Sequence, residues 1–256
     1  MSFFSKPKFI FIFLFLFSSV IFLLHYYAVG QAVYGDGIYY YSYSHSLYFD
    51  QNIDLRNELG HHYSPESNNS FVEDPLENVR EKTKTGLAPS KYPIGPSLAW
   101  IPAIYISNQI ANAINIFDKT FPTNGYSNIY QITVGILNIF FVILGLFILY
   151  KFLNKIFKPF ISFVTIICIF AASNLFYYGS IDVINSHPLS FLLTTVFLFL
   201  WYKTFKKRDY FEWFLLGIII GALALSRTQD FIFLTAILAD NISYIFNNRY
   251  KIVTLK

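Results

Sequence analysis

Long apolar runs recur along the whole chain and limit what it can fold into. A helix of about 20 apolar residues is long enough to cross the hydrocarbon core of a bilayer. Hydrophobic residues make up 55% of the 256 residues and charged residues 13%, whereas a soluble domain has about 25% charged residues. A soluble chain of this length has too little interior for so much apolar surface. The runs occupy residues 9–29, 94–117, 129–150, 160–178, 188–202, 211–226 and 231–246.

These runs predict an all-α polytopic membrane protein. They disfavour a soluble enzyme, a disordered chain and a protein that binds nucleic acid. The lone cysteine, Cys168, lies in an apolar run, where a small packed hydrophobe is expected. One cysteine also excludes a disulfide framework and a cysteine-based zinc site.

The first run, 9–29, follows Lys6 and Lys8 and is long enough to span a membrane. A cleaved signal peptide is the alternative, because Ala28-Val29-Gly30 resembles a small-residue cleavage site. We interpret the run as a retained helix. The rest of the predicted topology is the same in both cases.

The second run, 94–117, differs from the others in carrying Pro96, Pro102 and repeated amides from Asn108 to Asn115. Such a helix fits the membrane surface better than the lipid interior. Short cytoplasmic loops carry an excess of Lys and Arg. If 94–117 does not cross, every basic cluster lies on the cytoplasmic side, and if it crosses, the middle and last clusters move outside. The clusters are Lys6/Lys8, Lys151/Lys155/Lys158, Lys203/Lys206/Lys207/Arg208 and Arg249/Lys251/Lys256.

The charge pattern therefore predicts a single transmembrane domain over residues 1–256 with both ends cytoplasmic. Its six membrane helices are 9–29 and five more within 129–246. The segment 30–128 forms a large outer loop that carries the surface helix 94–117. This topology places all five histidines and most of the acidic residues on or near the outer face.

Gly35-Asp36-Gly37 follows the first helix directly, where a carboxylate close to the membrane can act as a base or hold a cation. The alternative is that Asp36 only caps a helix over Ile38–Phe49. Tyr40 belongs to a tyrosine-rich stretch that either anchors the chain at the interface or stacks on a sugar or prenyl chain. Asp54, four residues after Asp50, marks either a second acidic site or a solvated loop.

Two cationic motifs can bind a phosphate. Lys91, in Lys91-Tyr92-Pro93, is held beside the membrane by proline, although a snorkelling lysine is equally expected. Arg227 lies between two apolar runs, where an arginine needs a partner, either Asp230 or an anionic ligand. His187, in Asn185-Ser186-His187-Pro188, either binds a metal or moves a proton, or is a passive neighbour of a Ser186 helix cap.

Together these motifs resemble the N-terminal half of GT-C-type glycosyltransferases, a superfamily that includes protein O-mannosyltransferases and bacterial lipid A aminoarabinose transferases. The segments on which the resemblance rests are Gly35-Asp36-Gly37, Lys91-Tyr92-Pro93, Asn185–Pro188 and Ser226–Asp230. The resemblance implies an inverting transfer of a sugar from a polyprenyl-phosphate donor to a glycan, lipid or protein acceptor on the outer face. Asp36 then corresponds to the catalytic base or a metal ligand, and Lys91 and Arg227 face the donor phosphate. Asp54, His187, Asp230 and Tyr40 are accessory candidates.

The chain also departs from that family. Relatives often have Asp-Glu where this chain has Asp36-Gly37, and Glu-Lys-Pro-Pro where it has Ser90-Lys91-Tyr92-Pro93. The missing acids leave a divalent metal open, with Asp36 or His187 as its only candidate ligands. Relatives are longer, so the resemblance implies a piece of an enzyme or a reduced homologue in a bacterial inner membrane. The alternatives are a transporter or flippase of lipid-linked glycans and a non-catalytic membrane assembly protein.

Overall fold

The computed structural model describes residues 8–63, 83–205 and 208–240, which are helical and contain no β-strand. A π-helical turn, Ser46–Asp50, follows the second helix directly, and a 3-10 turn, Thr228–Phe233, leads into a helical segment at 234–240. The helices are α1 (Lys8–Val29), α2 (Gly37–His45), α3 (Arg56–His62), α4 (Gly95–Phe117), α5 (Asn128–Leu153), α6 (Pro159–Ala171), α7 (Asn174–Ser180), α8 (His187–Thr204) and α9 (Tyr210–Ser226).

Two of these helices are long and apolar enough to cross a membrane. They are Phe9–Val29 within α1 and Asn128–Leu153, which is α5. Large apolar side chains on α1 face outward, and Phe9 and Leu24 are each about two-thirds exposed (65% and 66%). Exposed apolar surface of this kind needs lipid or protein to cover it. The structure therefore describes an all-helical protein with two candidate membrane spans, and the six-helix topology remains a prediction.

The run 160–178, predicted as one continuous helix, is broken into α6 and α7, which meet at an angle of 71°. Ser173 marks the break, since its hydroxyl donates to the Ile169 carbonyl at 2.6 Å and accepts from the Leu175 amide at 3.2 Å. A serine that satisfies backbone groups on both sides of a break makes the new helix start possible. The pair forms a third candidate span if it is counted as one broken helix.

Helix α5 is the centre of the fold, because α1, α4, α6, α7 and α8 all pack against it. Helix α1 runs antiparallel to it. The Phe11 and Phe147 rings lie 5.3 Å apart at one end, and the Ala32 amide donates to Gln131 Oε1 at 2.8 Å at the other. The start of α1 and the end of α5 therefore share one end of the bundle.

The later helices also alternate in direction. The Phe152 and Tyr202 rings, near the ends of α5 and α8, lie 5.4 Å apart. Arg208, between α8 and α9, forms a partly buried ion pair of 2.9 Å with Asp240, so the segment 234–240 returns to that end. We call this end, which carries Lys151 and Lys203, the basic end. Lys6, the lysines at 206 and 207, the last basic cluster and the rest of the run 231–246 lie outside the described residues.

Helix α4, predicted to lie on the membrane surface, packs antiparallel along the first part of α5. The Trp100 indole donates to Asn138 Oδ1 at 2.9 Å. Further along the same two helices, the Tyr130 hydroxyl donates to Asn108 Oδ1 at 2.8 Å. The side chains of Trp100 and Asn138 are fully buried. This buried polar contact fixes the position of α4, and with it the segment that contains Lys91.

We expect Trp100→Phe to destabilise the protein by about 1–3 kcal/mol, because it leaves the buried Asn138 amide without its donor. The thermal unfolding midpoint of the detergent-purified protein measures the effect. Adding Asn138→Leu to this variant removes the unsatisfied group and should recover part of the loss. A Trp100→Phe protein that unfolds at the wild-type temperature would contradict the role of this contact.

Candidate functional site

Two close backbone contacts bring the sequence motifs together. Gly37 packs against the Ile184 carbonyl, and any side chain at this position would collide with it. Gly95, the first residue of α4, packs in the same way against the backbone of Leu225 and Ser226 at the end of α9. Four segments far apart in sequence thus meet in two pairs at the end of the bundle opposite the basic end. Gly37 is therefore used for close backbone packing.

Asp36 occupies the N-cap position of α2 without acting as a cap. Its side chain accepts no capping hydrogen bond, and its Oδ1 instead accepts a hydrogen bond of 2.7 Å from the Tyr92 hydroxyl. Burial and the Asp36 carboxylate both raise the pKa of Tyr92, which therefore remains a proton donor. The capping interpretation is wrong for the side chain, and the carboxylate is exposed beside Tyr92.

Tyr40 lies behind this pair and is 4% exposed. Its ring centroid is 5.3 Å from that of Tyr92 and 6.3 Å from that of Trp100. Burial raises its pKa, and the Ser186 side chain and the charges of Asp36 and Arg227 also act on it. Tyr40 is therefore a packed residue between the motifs rather than an interfacial anchor.

Arg227 is held from one side by His187. Its Nη1 donates to His187 Nδ1 at 2.9 Å, and the His187 ring stacks on Tyr178 with centroids 3.7 Å apart. Because arginine always donates, His187 Nδ1 must be the acceptor, so His187 is neutral here and positions Arg227. The Ser186 side chain makes no helix-cap hydrogen bond, and the capping alternative for it is wrong.

Asp230 does not pair with Arg227 in the described contacts. It accepts a hydrogen bond of 2.5 Å from the Ser190 hydroxyl. Both residues line a cavity of about 570 Å³ between α7, α8 and the 3-10 turn, together with His187, Tyr178 and Phe233. The mixture of apolar walls and a polar rim is typical of a site for an amphipathic ligand.

Lys91 directly precedes Tyr92 in the chain. Its Nζ is 5.3 Å from the Tyr92 ring centroid, and its side chain is exposed. It borders a second cavity of about 560 Å³. Tyr39, Tyr63 and Tyr92 form the aromatic part of the wall. Planar aromatic surfaces next to a cation suit a sugar or a phosphorylated ligand.

Asp182, between α7 and α8, is a candidate site residue that the sequence did not single out. One of its oxygens is buried without a hydrogen-bond partner among the described residues. Burial, and then the charge of the nearby Asp36, raise the pKa of Asp182 to about 7, although Asn185 acts in the opposite direction. Its position as the single acid in the loop 179–187 was the available signal.

We expect Asp182→Asn to stabilise the protein relative to wild type at about pH 8 and to change little at about pH 4. The raised pKa means that the folded protein keeps this proton while the unfolded chain loses it. Wild-type stability should therefore fall as the pH rises from the ordinary value of 3.8 to about 7. Thermal unfolding of both proteins across this range tests the prediction. A difference between the two that does not grow with pH would contradict it.

The remaining candidates lie apart or do not fit a metal. Asp54 forms a partly exposed ion pair of 3.4 Å with Arg56, and no described contact joins it to Asp36. His187 already accepts from Arg227, whose charge would repel a cation. No group of three possible metal ligands includes Asp36 or His187 among the described residues. The arrangement around Asp36 and His187 therefore does not fit the divalent metal that the resemblance left open.

The chain matches no protein-family model, and no characterised protein or solved structure is significantly similar to it.

Proposed function

We propose that the chain is an integral membrane glycosyltransferase that moves a sugar from a polyprenyl-phosphate donor to an acceptor on the outer face of the membrane. The observation that carries the proposal is that Asp36, hydrogen-bonded to Tyr92, and Arg227, which follows the backbone contact of Ser226 with Gly95, lie at the same end of the bundle. A carboxylate and a fixed arginine at one end of an apolar helical bundle suit proton removal from an acceptor and stabilisation of a phosphate.

The two-ended arrangement of charges supports the proposed orientation. Lysines of the described clusters lie at the basic end, and Asp36, Asp182 and Arg227 lie at the opposite end. With the basic end cytoplasmic, the site faces outward. We therefore propose the six-helix topology with a cytoplasmic N-terminus in a bacterial inner membrane. Nucleotide sugars are absent from the outer face, so a lipid-linked sugar is the fitting donor.

The chemistry follows from the residues present. Asp36, oriented by the Tyr92 hydroxyl, takes the proton of the acceptor hydroxyl as the acceptor oxygen attacks the sugar carbon from the face opposite the leaving group. The bond from that carbon to the phosphate oxygen breaks, and the polyprenyl phosphate leaves with the electron pair. Arg227, held by His187, stabilises the negative charge that develops on this phosphate. Lys91, which borders the second cavity, supplies a further positive charge for the donor phosphate.

A second function, transport of a lipid-linked glycan, is favoured by one observation. Transporters commonly bind substrates at broken helices, and α6 and α7 form such a pair with a bend of 71°. The break at Ser173, however, borders the same cavity as His187 and Asp230, so it lies at the end of the bundle and not in its middle. Transport therefore remains the second candidate.

A single assay separates the candidates. Protein reconstituted in vesicles is given radiolabelled polyprenyl-phosphate sugars, and both soluble product and donor movement across the bilayer are measured. We expect sugar transfer from a lipid-linked donor and none from nucleotide sugars. Donor movement without transfer would favour the transporter. Neither activity, with Asp36, Lys91 and Arg227 all replaceable in cells, would favour an assembly protein.

A further inference from the structure

A second polar cluster lies where α2, the π-helical turn and α3 meet, and it takes no part in the proposed reaction. It consists of His45, Asp50 and Glu58, which we call the His45 cluster. His45 Nδ1 lies 3.2 Å from Glu58 Oε1, and these two side chains are 7% and 0% exposed. One possible ligand atom from each of the three residues lies within 4.8 Å of the others.

The orientation of the His45 ring shows which nitrogen carries the proton. Nε2 lies 2.9 Å from the Asn124 carbonyl oxygen, which can only accept, so Nε2 is the donor. The ring is fixed by stacking between Phe49 and Tyr126, at centroid distances of 4.7 and 4.2 Å. In the neutral ring, Nδ1 therefore directs a lone pair towards Glu58.

A lone pair and a carboxylate oxygen at 3.2 Å repel each other unless a positive species lies between or beside them. That species is either a proton or a metal ion. Histidines that bind metals usually donate their second ring N–H to a carbonyl or carboxylate, as Nε2 of His45 does to Asn124. The Tyr126 hydroxyl, 3.4 Å from Nδ1, adds another oxygen next to this position.

The carboxylates also lack their charge partners. Glu58 Oε2 is buried and has no hydrogen-bond partner among the described residues. In the described part of the chain, no Lys or Arg forms an ion pair with Asp50 or Glu58. Asn57 Nδ2 donates to both, at 2.6 Å to Asp50 Oδ2 and 3.2 Å to Glu58 Oε1, and so holds the two acids side by side.

We propose that the His45 cluster binds a divalent transition-metal ion of the zinc type, through His45 Nδ1 and the carboxylates of Glu58 and Asp50. One imidazole and two carboxylates form a donor set that suits Zn²⁺. Asp50 is exposed, so the ion can enter from solvent and keep a water molecule as an additional ligand. The bound ion joins the end of α2 to α3 and, through Asn124, to the loop before α5.

The metal site does not depend on the proposed transfer reaction, and its test needs no sugar donor. The whole protein is purified in detergent, treated with a chelator, and dialysed against Zn²⁺, and the metal per chain is measured by mass spectrometry. We expect one tightly bound Zn²⁺ per chain, a higher unfolding temperature with Zn²⁺ than without it, and visible absorption bands when Co²⁺ replaces it.

Glu58→Gln keeps the shape of the side chain and removes a ligand charge, and we expect it to lose the bound Zn²⁺ and the thermal shift. His61→Gln is the matched control, since His61 stacks on Tyr126 in the same region without belonging to the ligand set. It should keep both properties. If Glu58→Gln does not fold, Asp50→Asn, at an exposed position, should lower the affinity at least about tenfold.

Two results would overturn the proposal. Wild-type protein that takes up no stoichiometric Zn²⁺ and shows no thermal shift would assign the His45–Glu58 contact to a proton. Equal Zn²⁺ binding by wild type and the folded Glu58→Gln or Asp50→Asn variants would assign the metal to another surface.

Discussion

Replacing Asp36 by Asn is expected to abolish sugar transfer while leaving the protein folded and inserted. The amide keeps the size of the side chain and can still accept the Tyr92 hydrogen bond, but it cannot take a proton from the acceptor. Loss of a general base typically lowers the rate by about 10²–10⁴-fold. Initial rates with a radiolabelled polyprenyl-phosphate sugar measure the effect.

A matched control makes this result specific. Asp118 is an exposed carboxylate in the same predicted outer loop, where it accepts hydrogen bonds from Thr120. Asp118→Asn should keep wild-type transfer. A fully active Asp36→Asn protein would refute the role of Asp36 as the base. Unchanged unfolding temperatures would show that neither substitution acts through folding.

Replacing Arg227 by Gln is expected to lower transfer by about 10²–10³-fold, the usual effect of removing one donor that stabilises a developing negative charge. The glutamine can still approach His187 but carries no charge for the donor phosphate. The transfer rate of Arg227→Lys should fall between those of the wild type and Arg227→Gln. The lysine keeps the charge but loses the planar fork that binds phosphate through two hydrogen bonds. The rate and the KM for the lipid-linked donor are both measured.

Arg56→Gln serves as the control for charge alone, since Arg56 is paired with Asp54 and has no described contact with His187 or Asp36. It should leave the donor KM and the transfer rate unchanged. His187→Ala should weaken donor binding less than Arg227→Gln, because it frees Arg227 to move without removing its charge. Wild-type kinetics in Arg227→Gln would remove the phosphate-binding role from the proposal.

The sequence determined the helical architecture to a large extent. Apolar runs at 129–150, 188–202 and 211–226 all correspond to helices, because a helix satisfies the backbone hydrogen bonds of an apolar segment internally. The spacing of basic clusters along the chain also predicted which helix ends lie together. Where a run contains a local competitor for backbone hydrogen bonds, as at Ser173, the apolar pattern alone missed the break.

The candidate site could be predicted only as a set of separate motifs. Asp36, Lys91, His187 and Arg227 were each identifiable as polar groups next to apolar runs, which is where polar groups are costly and so carry information. Their partners were not identifiable in this way. The Tyr92 hydroxyl on Asp36 is a contact between positions 56 residues apart in the chain, and such a contact leaves no periodic pattern in the sequence.

The tertiary structure alone decided which polar groups act together. In the structure, the Asp36 side chain accepts a hydrogen bond from Tyr92 and does not cap a helix, and His187 accepts a hydrogen bond from Arg227. The tertiary structure also placed His45 against Glu58, a contact that the sequence did not suggest. The physical reason is that an apolar run determines its own helix locally. The partner of a buried polar group depends on how the helices pack against one another.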